Sequence, residues 1–347
     1  LLQKTKYINK VIQGEFEYPL VDIAKNIPEK DISNLYYKEN NEIKKNNQRP
    51  YLSGKELDEI PFISEFFKKQ LDIYKYRTIS EPYPFMDIMT GRGCKWGLCT
   101  YCLWVHTYIK GSVYNVRSIE NVIEEFKYIE KDLPHVRSVM IQDDTFTDER
   151  IMEFCEAKIK AGIKIKWSCY ARANLTYESL AMMKKANCLN LHVGYESASK
   201  EVLKNIKKGL SRETMEKFTH NAKKARLHIH GDFALGFPGE TVESAKETIK
   251  WAQKLNPHTA QFQLMIPFPG TPFYALLKHN GWLTEKGEPD YPDYSNEQIR
   301  CLAKQAYRSF YISPQYLYKA IRDPYYYVFL RLKAIFRAIP AMFWRRW

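Results

Sequence analysis

The hydrophobic texture of this chain changes near residue 84. Before about residue 80 the sequence is polar and rich in Lys, Asn and Glu, with a low-complexity run over 38–47. Residues 14–17, followed by Leu20, Ile23 and Ala24, read as the opening of a short helix. Residues 57–61 read as an extended linker, because Ile60 precedes a proline. From 84 to 275 short apolar runs alternate with stretches of helical spacing. The runs 85–89, 136–141, 164–170, 189–193, 227–235 and 260–266 predict strands. Residues 119–130 place Ile119, Val122, Ile123, Phe126 and Ile129 on one helical stripe. Further helices are expected over 148–161 with Asp148 as N-cap, over 176–186 with Thr176 as N-cap, along a stretch ending near Ala225, and over 243–255.

Six strand–helix units in succession predict a parallel sheet with crossover helices. Each strand ends in a cluster of polar, Gly or Cys residues, and in a β/α barrel all such ends lie on the face that carries chemistry. The expected fold class is therefore α/β, a partial (β/α)6 barrel open at one side for a large substrate. It carries an irregular N-terminal linker over 1–80 and a helical C-terminal extension over 286–347, with the barrel at 81–285.

Beyond Tyr274 the chain becomes aromatic and basic. Residues 325–338 place Val328, Phe329, Leu332, Ile335 and Phe336 on one helical face, with Arg331, Lys333 and Arg337 nearby. No uncharged run reaches the roughly 18 residues that span a bilayer. A helix lying in the membrane interface, anchored by Phe343, Trp344 and Trp347, is expected instead. The net charge of +13 fits this, since residues 315–347 hold seven Lys and Arg against Asp323 alone. A basic surface also suits nucleic acid or a phosphorylated substrate, so charge does not choose among them. Seven cysteines without a signal-peptide pattern point to a reducing, cytoplasmic compartment, peripheral on the inner face of the membrane if the tail docks there. The first residue is Leu1, and the opening reads like the middle of a fold, so an upstream part is expected.

Three cysteines, Cys94, Cys99 and Cys102, crowd into nine residues directly behind the first strand. Thiolates this close select zinc, copper(I) or an iron–sulfur cluster. Structural zinc needs a fourth ligand in a second pair, and Cys155, Cys169, Cys188 and Cys301 are isolated. Three ligands without a fourth match a 4Fe–4S cluster that keeps one iron open, whereas an electron-carrying cluster takes four cysteines.

The ordered motifs resemble the radical S-adenosylmethionine superfamily, in its cobalamin-binding branch. They are Gly91-Arg92-Gly93-Cys94…Cys99…Cys102, residues 142–147, Trp167…Arg172, residues 194–197, residues 236–241 and residues 267–272. One departure stands out: the family usually spaces its cysteines C-x3-C-x2-C, and here the first gap is four residues. The resemblance implies that Cys94, Cys99 and Cys102 hold three irons while the fourth chelates S-adenosylmethionine. Reductive cleavage then yields a 5′-deoxyadenosyl radical. It further implies cofactor contacts at Asp143 or Asp144 for the ammonium, Arg172 for the carboxylate, and Glu196 for the ammonium or ribose. Gly236 and Gly239 would let backbone approach the adenosine. Cobalamin is a further cofactor of the branch, but its cobalt-ligand motif D-x-H-x-x-G does not occur in these 347 residues. Residues 11–17 and 57–61 look like the exit from a cobalamin domain.

Other residues read more plainly. His228, His230 and Asp232 alternate on one strand and so face one way. Cys155 and Cys188 read as buried packing residues, and Tyr101 and Trp104 as shields of the cysteine loop. The leading expectation is a radical enzyme acting by C-methylation, cyclisation or rearrangement on a large apolar, lipid-like substrate, with a reductant such as flavodoxin or ferredoxin. A tRNA methylthiotransferase is the alternative, but neither a second N-terminal cysteine set nor a C-terminal RNA-binding barrel is recognisable, so nucleic acid is not the expected partner. A non-enzymatic iron–sulfur scaffold is disfavoured by the missing fourth ligand.

Overall fold

The computed structural model describes residues 2, 3, 5, 7–76, 78 and 81–323. Its N-terminal part is more ordered than a linker. Strands β1 (Lys10–Ile12), β2 (Leu35–Glu39) and β3 (Glu42–Lys45) form an antiparallel sheet around Ile32, Leu35 and Tyr37. Asn40 and Asn41, both at positive φ, turn β2 into β3. Helix α1 (Glu17–Ala24) lies where residues 14–24 predicted one. Leu57 and Asp58 do not form an extended linker. They finish α2 (Gly54–Asp58), opened by a reciprocal Ser53–Glu56 capping box. Helix α3 (Ile63–Gln70) follows.

The barrel begins at β4 (Phe85–Ile88). A small antiparallel pair, β5 (Gly91–Gly93) and β6 (Tyr114–Val116), then brackets the cysteine loop. The helices α4 (Ile119–Asp132), α5 (Asp148–Lys160), α6 (Tyr177–Lys185), α7 (Lys200–Asn205), α8 (Arg212–Lys224) and α9 (Val242–Leu255) alternate with strands. Those strands are β7 (Ser138–Ile141), β8 (Lys166–Ala171), β9 (Cys188–Glu196), β10 (His228–Leu235) and β11 (Thr259–Leu264). All six predicted barrel strands are present and pair in parallel in the order β4-β7-β8-β9-β10-β11. Strands added strictly in sequence, each through a right-handed crossover, put their helices on one face and curl the sheet. The loops that follow its first and last strands meet. Beyond β11, the Phe273 N–H at the start of α10 (Pro272–Asn280) donates to the Thr100 carbonyl of the cysteine loop at 3.1 Å.

Two boundaries differ from the sequence expectation. Thr147, not Asp148, caps α5 through the Arg150 N–H, and Asp148 instead accepts from Thr176 at 2.9 Å. The stretch ending near Ala225 is two helices, because Lys207 and Gly209 adopt positive φ between α7 and α8. The core lies between sheet and helices, where Phe146 and Trp167 pack edge to face on Phe154, Phe126 packs against it at a tilt, and the Trp167 indole donates to the Ala186 carbonyl at 2.9 Å. Cys155, Cys169 and Cys188 are buried in it. Helix α11 (Asn296–Tyr311) covers β11, and α12 (Pro314–Arg322) ends the described chain. Among the described residues no helix is long and apolar enough to cross a membrane. The helix expected over 325–338 lies outside them.

Candidate active site

The cysteine loop is braced from below by the end of β7. Asp143 is buried, and its two oxygens accept from the Thr90 N–H at 2.6 Å and the Thr90 hydroxyl at 2.5 Å. Burial pushes its carboxyl up to about 6, against the pull of the Thr90 and Gly91 donors. Asp144 accepts from the Gly93 N–H at 2.9 Å. Both carboxylates therefore spend hydrogen-bonding capacity on the loop itself. Arg92, within the loop's first strand, reaches back to Glu15 at 2.8 Å and to Glu17, which ties the N-terminal segment to this site.

The four residues between Cys94 and Cys99 have a use. They carry Trp96 out of the loop, so that its indole N–H donates to the Lys207 carbonyl at 2.8 Å and Arg172 stacks 5.2 Å from the ring centroid. The ring lies against Gly209, where a Cβ would come within 2.0 Å of it. Gly97, at φ +61°, lets the chain double back against Gly111, whose backbone a Cβ would meet at 2.4 Å. The loop is thus anchored through Trp96 onto the α7–α8 loop. Thr100 N–H donates to the Ile206 carbonyl at 3.0 Å and closes the same contact.

Cys94 is buried, while Cys99 and Cys102 are half-buried. Burial pushes the Cys99 thiol up, opposed by the positive charges of Lys208 and Arg172. Burial likewise raises Cys102, against the backbone N–H groups of Val105 and Trp104, which donate toward its sulfur. Donors and cations aimed at sulfur favour the thiolate, the form that binds iron. Among the described residues no three His, Cys, Asp or Glu side chains converge on a single metal ion. A cubane takes each thiolate on a different iron, so it needs a tripod wider than one ion's shell. Three thiols on one braced loop, with no fourth thiol beside them among the described residues, fit that group.

Glu196 ends β9 at φ +62°, next to a shift in the register with β10. Its Oε1 accepts from Lys208 Nζ at 2.9 Å and from the Tyr101 hydroxyl at 2.9 Å. Burial, then the Glu196 charge, holds the Tyr101 phenol well above its ordinary value. Arg172 donates to the Lys208 carbonyl at 2.8 Å. Glu196, Arg172, Tyr101 and Cys99 thus meet around Lys208, which the sequence reading missed; one lysine of an adjacent pair carries no signal of burial. Gly236, at φ +96°, donates its N–H to Glu240 Oε2 at 2.6 Å, and Tyr291 donates to its carbonyl at 2.9 Å. Gly239, at φ +79°, leaves room for Asn205, whose Nδ2 a Cβ would meet at 2.4 Å. Glu240 was also missed as a site residue. Burial pushes its carboxyl up to about 8, and through the Gly236 N–H it stiffens the Gly236 turn.

Residues 88–252 match the Radical SAM superfamily. The uncharacterized methyltransferase PH0819 of Pyrococcus horikoshii is 32% identical over 340 residues, covering 93% of this chain and 72% of that protein. The bacteriochlorophyllide d C-12(1)-methyltransferase of Chlorobaculum tepidum is 27% identical over 199 residues, 56% of this chain and 42% of the relative. Among solved structures, the radical S-adenosylmethionine methyltransferase TsrM from Kitasatospora setae superposes with a TM-score of 0.61 at 17% identity, covering 80% of this chain and 55% of that one. The cobalamin-dependent S-adenosylmethionine radical enzyme OxsB gives 0.65 at 16% identity, covering 87% and 51%. At such identities these two similarities speak for the fold. Taken with the family match and the 32% identical relative, the chain belongs to the radical SAM superfamily, enzymes built around a 4Fe–4S cluster and S-adenosylmethionine.

Proposed function

We propose that Cys94, Cys99 and Cys102 hold the 4Fe–4S cluster and that the chain uses it for C-methylation, with cyclisation or rearrangement as the alternative outcome of the same start. The observation that carries this is the three-thiol loop, braced by Asp143 and Asp144 and facing Lys208, Arg172 and Glu196. When bound, the cluster supplies the single electron that breaks the sulfonium C–S bond of S-adenosylmethionine. The chain's own residues bind and orient. Arg172 offers a guanidinium to the cofactor carboxylate. Lys208 fixes Glu196 through Oε1, which leaves Oε2 for the cofactor ammonium or ribose. Asp144 is the more accessible of the two aspartates for a cation, because Asp143 is buried against Thr90. Gly236 and Gly239 shape the turn that faces the adenosine. Anaerobic reconstitution should load about four irons per chain, and Cys→Ala at all three positions should remove them; full iron loading in the triple variant would refute the assignment.

The mouth of the barrel supports a large substrate with an apolar part. Met89, Leu98, Trp104, Ile266 and Phe268 are exposed after β4, on the cysteine loop between β5 and β6, and after β11. Relatives named for bacteriochlorophyllide and magnesium-protoporphyrin chemistry act on molecules of that kind. Residues 1–80 read as the exit of a cobalamin-binding domain, 81–285 as the barrel and 286–347 as its extension. Cobalamin suits methyl transfer, but its D-x-H-x-x-G motif is not among these residues, so no step is assigned to it. The net charge of +13 suits an acidic electron carrier such as flavodoxin or ferredoxin. In this reading the enzyme works in the cytoplasm, with residues 315–347 on the inner face of the membrane. Anionic vesicles should then bind the full chain, weakly at high salt, and should not bind a chain ending at residue 314. Equal binding by both chains would remove the membrane reading.

A further inference from the structure

The turn after β10 is gripped from both sides of Gly236. Glu240, 5% exposed, takes the Gly236 N–H at 2.6 Å, and the Tyr291 hydroxyl, from beyond α10, donates to the Gly236 carbonyl at 2.9 Å. Tyr291 is itself fixed, because residues 282–295 fold back on themselves. The Asp290 N–H donates to the Trp282 carbonyl at 2.9 Å, and Tyr291 and Tyr294 exchange backbone hydrogen bonds at 3.3 Å. Trp282 packs edge to face on the Tyr291 ring, with centroids 5.5 Å apart. Asn296, at the start of α11, donates from its side chain to the Pro289 carbonyl at 3.0 Å and from its N–H to Asp290 at 2.8 Å. Ile299 and Pro289 close over Gly236, where a Cβ would meet them at 3.4 and 3.5 Å.

From this turn the contacts run on to the cysteine loop. Phe237 is fully buried and meets the Tyr101 ring edge to face, with centroids 5.2 Å apart. Tyr101 stands between Cys99 and Cys102, and its hydroxyl donates to Glu196 Oε1 at 2.9 Å. Every step from Tyr291 to Glu196 is thus a hydrogen bond, a peptide link or a ring contact. An independent observation comes from the turn itself. Glu240 Oε1 and the Tyr294 hydroxyl are both buried without a hydrogen-bond partner. Buried polar atoms left without partners oppose folding, so a half-satisfied carboxyl is a poor choice here for stability alone.

We propose that Tyr291 and Glu240 are positioning residues for S-adenosylmethionine: they fix the Gly236 turn, which holds Phe237 against Tyr101 and so sets Tyr101 and Glu196 where the cofactor binds. The segment beyond the barrel thereby shapes the cofactor site without touching the cofactor. Binding and reacting groups displaced by about 1 Å lose much of their effect, so such support matters as much as the contacts themselves. The inference rests on Glu196 and the cysteine loop forming the cofactor site.

Calorimetric titration of S-adenosylmethionine into the reconstituted full chain tests it. Tyr291→Phe keeps the ring and removes the hydroxyl. It should weaken binding about three- to ten-fold, the loss of one hydrogen bond, with iron loading unchanged. Glu240→Leu should weaken binding at least as much, and Glu240→Gln, which keeps an oxygen for the Gly236 N–H, should recover most of the loss. Ser138→Ala removes a hydroxyl that donates to the Pro82 carbonyl at 3.0 Å at the floor of the barrel, and it should leave the affinity unchanged. Tyr101→Phe combined with Tyr291→Phe should lose less than the product of the two single losses, because both act on one chain of contacts. Unchanged affinity in Tyr291→Phe, Glu240→Gln as weak as Glu240→Leu, an equal loss in Ser138→Ala, or a double loss equal to the product would overturn the inference. Tyr291→Phe and the double variant decide the matter even if Glu240→Leu does not fold. A wild type that binds S-adenosylmethionine alongside any of these results sinks this inference alone, whereas a wild type that binds none sinks the cofactor site and this inference with it.

Discussion

Replacing Glu125 with alanine should lower the unfolding free energy by about 3–5 kcal/mol, because it breaks a buried ion pair from one side. Glu125 lies on α4 and is fully buried. It accepts from Arg117 Nη1 at 2.5 Å and from the Ser64 N–H and hydroxyl at 3.2 and 3.0 Å. Without it a guanidinium is left charged in a site 10% exposed, and the first turn of α3 loses its partner. The loss also reaches the cysteine loop. Arg117 donates to the Met89 carbonyl at 2.9 Å, and its N–H donates to the Thr90 carbonyl at 2.9 Å, on the residues that lead into Cys94. Urea unfolding of the apo chain measures the change. The paired variant Arg117→Met with Glu125→Leu should recover most of it, since replacing both charges by apolar side chains removes the unpaired group. A loss below about 1 kcal/mol for Glu125→Ala, the range of an exposed pair, would contradict the argument.

Lys208→Met should have the second large effect, and it should fall on cofactor binding. Lys208 is 6% exposed and supplies the cation that Glu196 pairs with in an equally buried place. Its charge also draws the Cys99 thiol toward thiolate. With methionine there, Glu196 loses the ion-pair partner that aims it, and Arg172 keeps only the backbone carbonyl it already uses. The affinity for S-adenosylmethionine should drop by about ten-fold or more, with slower iron loading at neutral pH. Lys208→Arg should retain part of both, because it keeps the charge. Equilibrium binding of S-adenosylmethionine to reconstituted protein checks this, and an unchanged affinity would separate Glu196 from the cofactor.

Much of this architecture is legible in the sequence because it is written locally. Strands of a parallel sheet are buried on the helix side, so their apolar residues stand out, and hydroxyl caps such as Thr176 mark the helices after them. The cysteine loop is equally local. What escapes is whatever depends on distant partners. Lys208 reads as a solvated lysine until the break between α7 and α8 turns it toward a carboxylate twelve residues earlier. Strand β3, Glu42–Lys45, has no apolar pattern, and the Asn40-Asn41 turn that makes it a hairpin lies inside a low-complexity run. Thr147 and Asp148 are adjacent cap formers, and only the geometry shows that the hydroxyl takes the N–H while Asp148 crosses to Thr176. The inner face of the barrel sheet falls between these cases. The alternation of His228, His230 and Asp232 was visible, but Glu81, which meets His192 beside His230, comes from a segment far away in the chain.

The central claim is that the thiols of Cys94, Cys99 and Cys102 hold the radical-generating cluster. The most direct measurement is the yield of 5′-deoxyadenosine and methionine from S-adenosylmethionine after anaerobic reconstitution and reduction, for the wild type beside Cys99→Ala. The account predicts turnover by the wild type and none by the variant; cleavage at the wild-type rate by Cys99→Ala would contradict it.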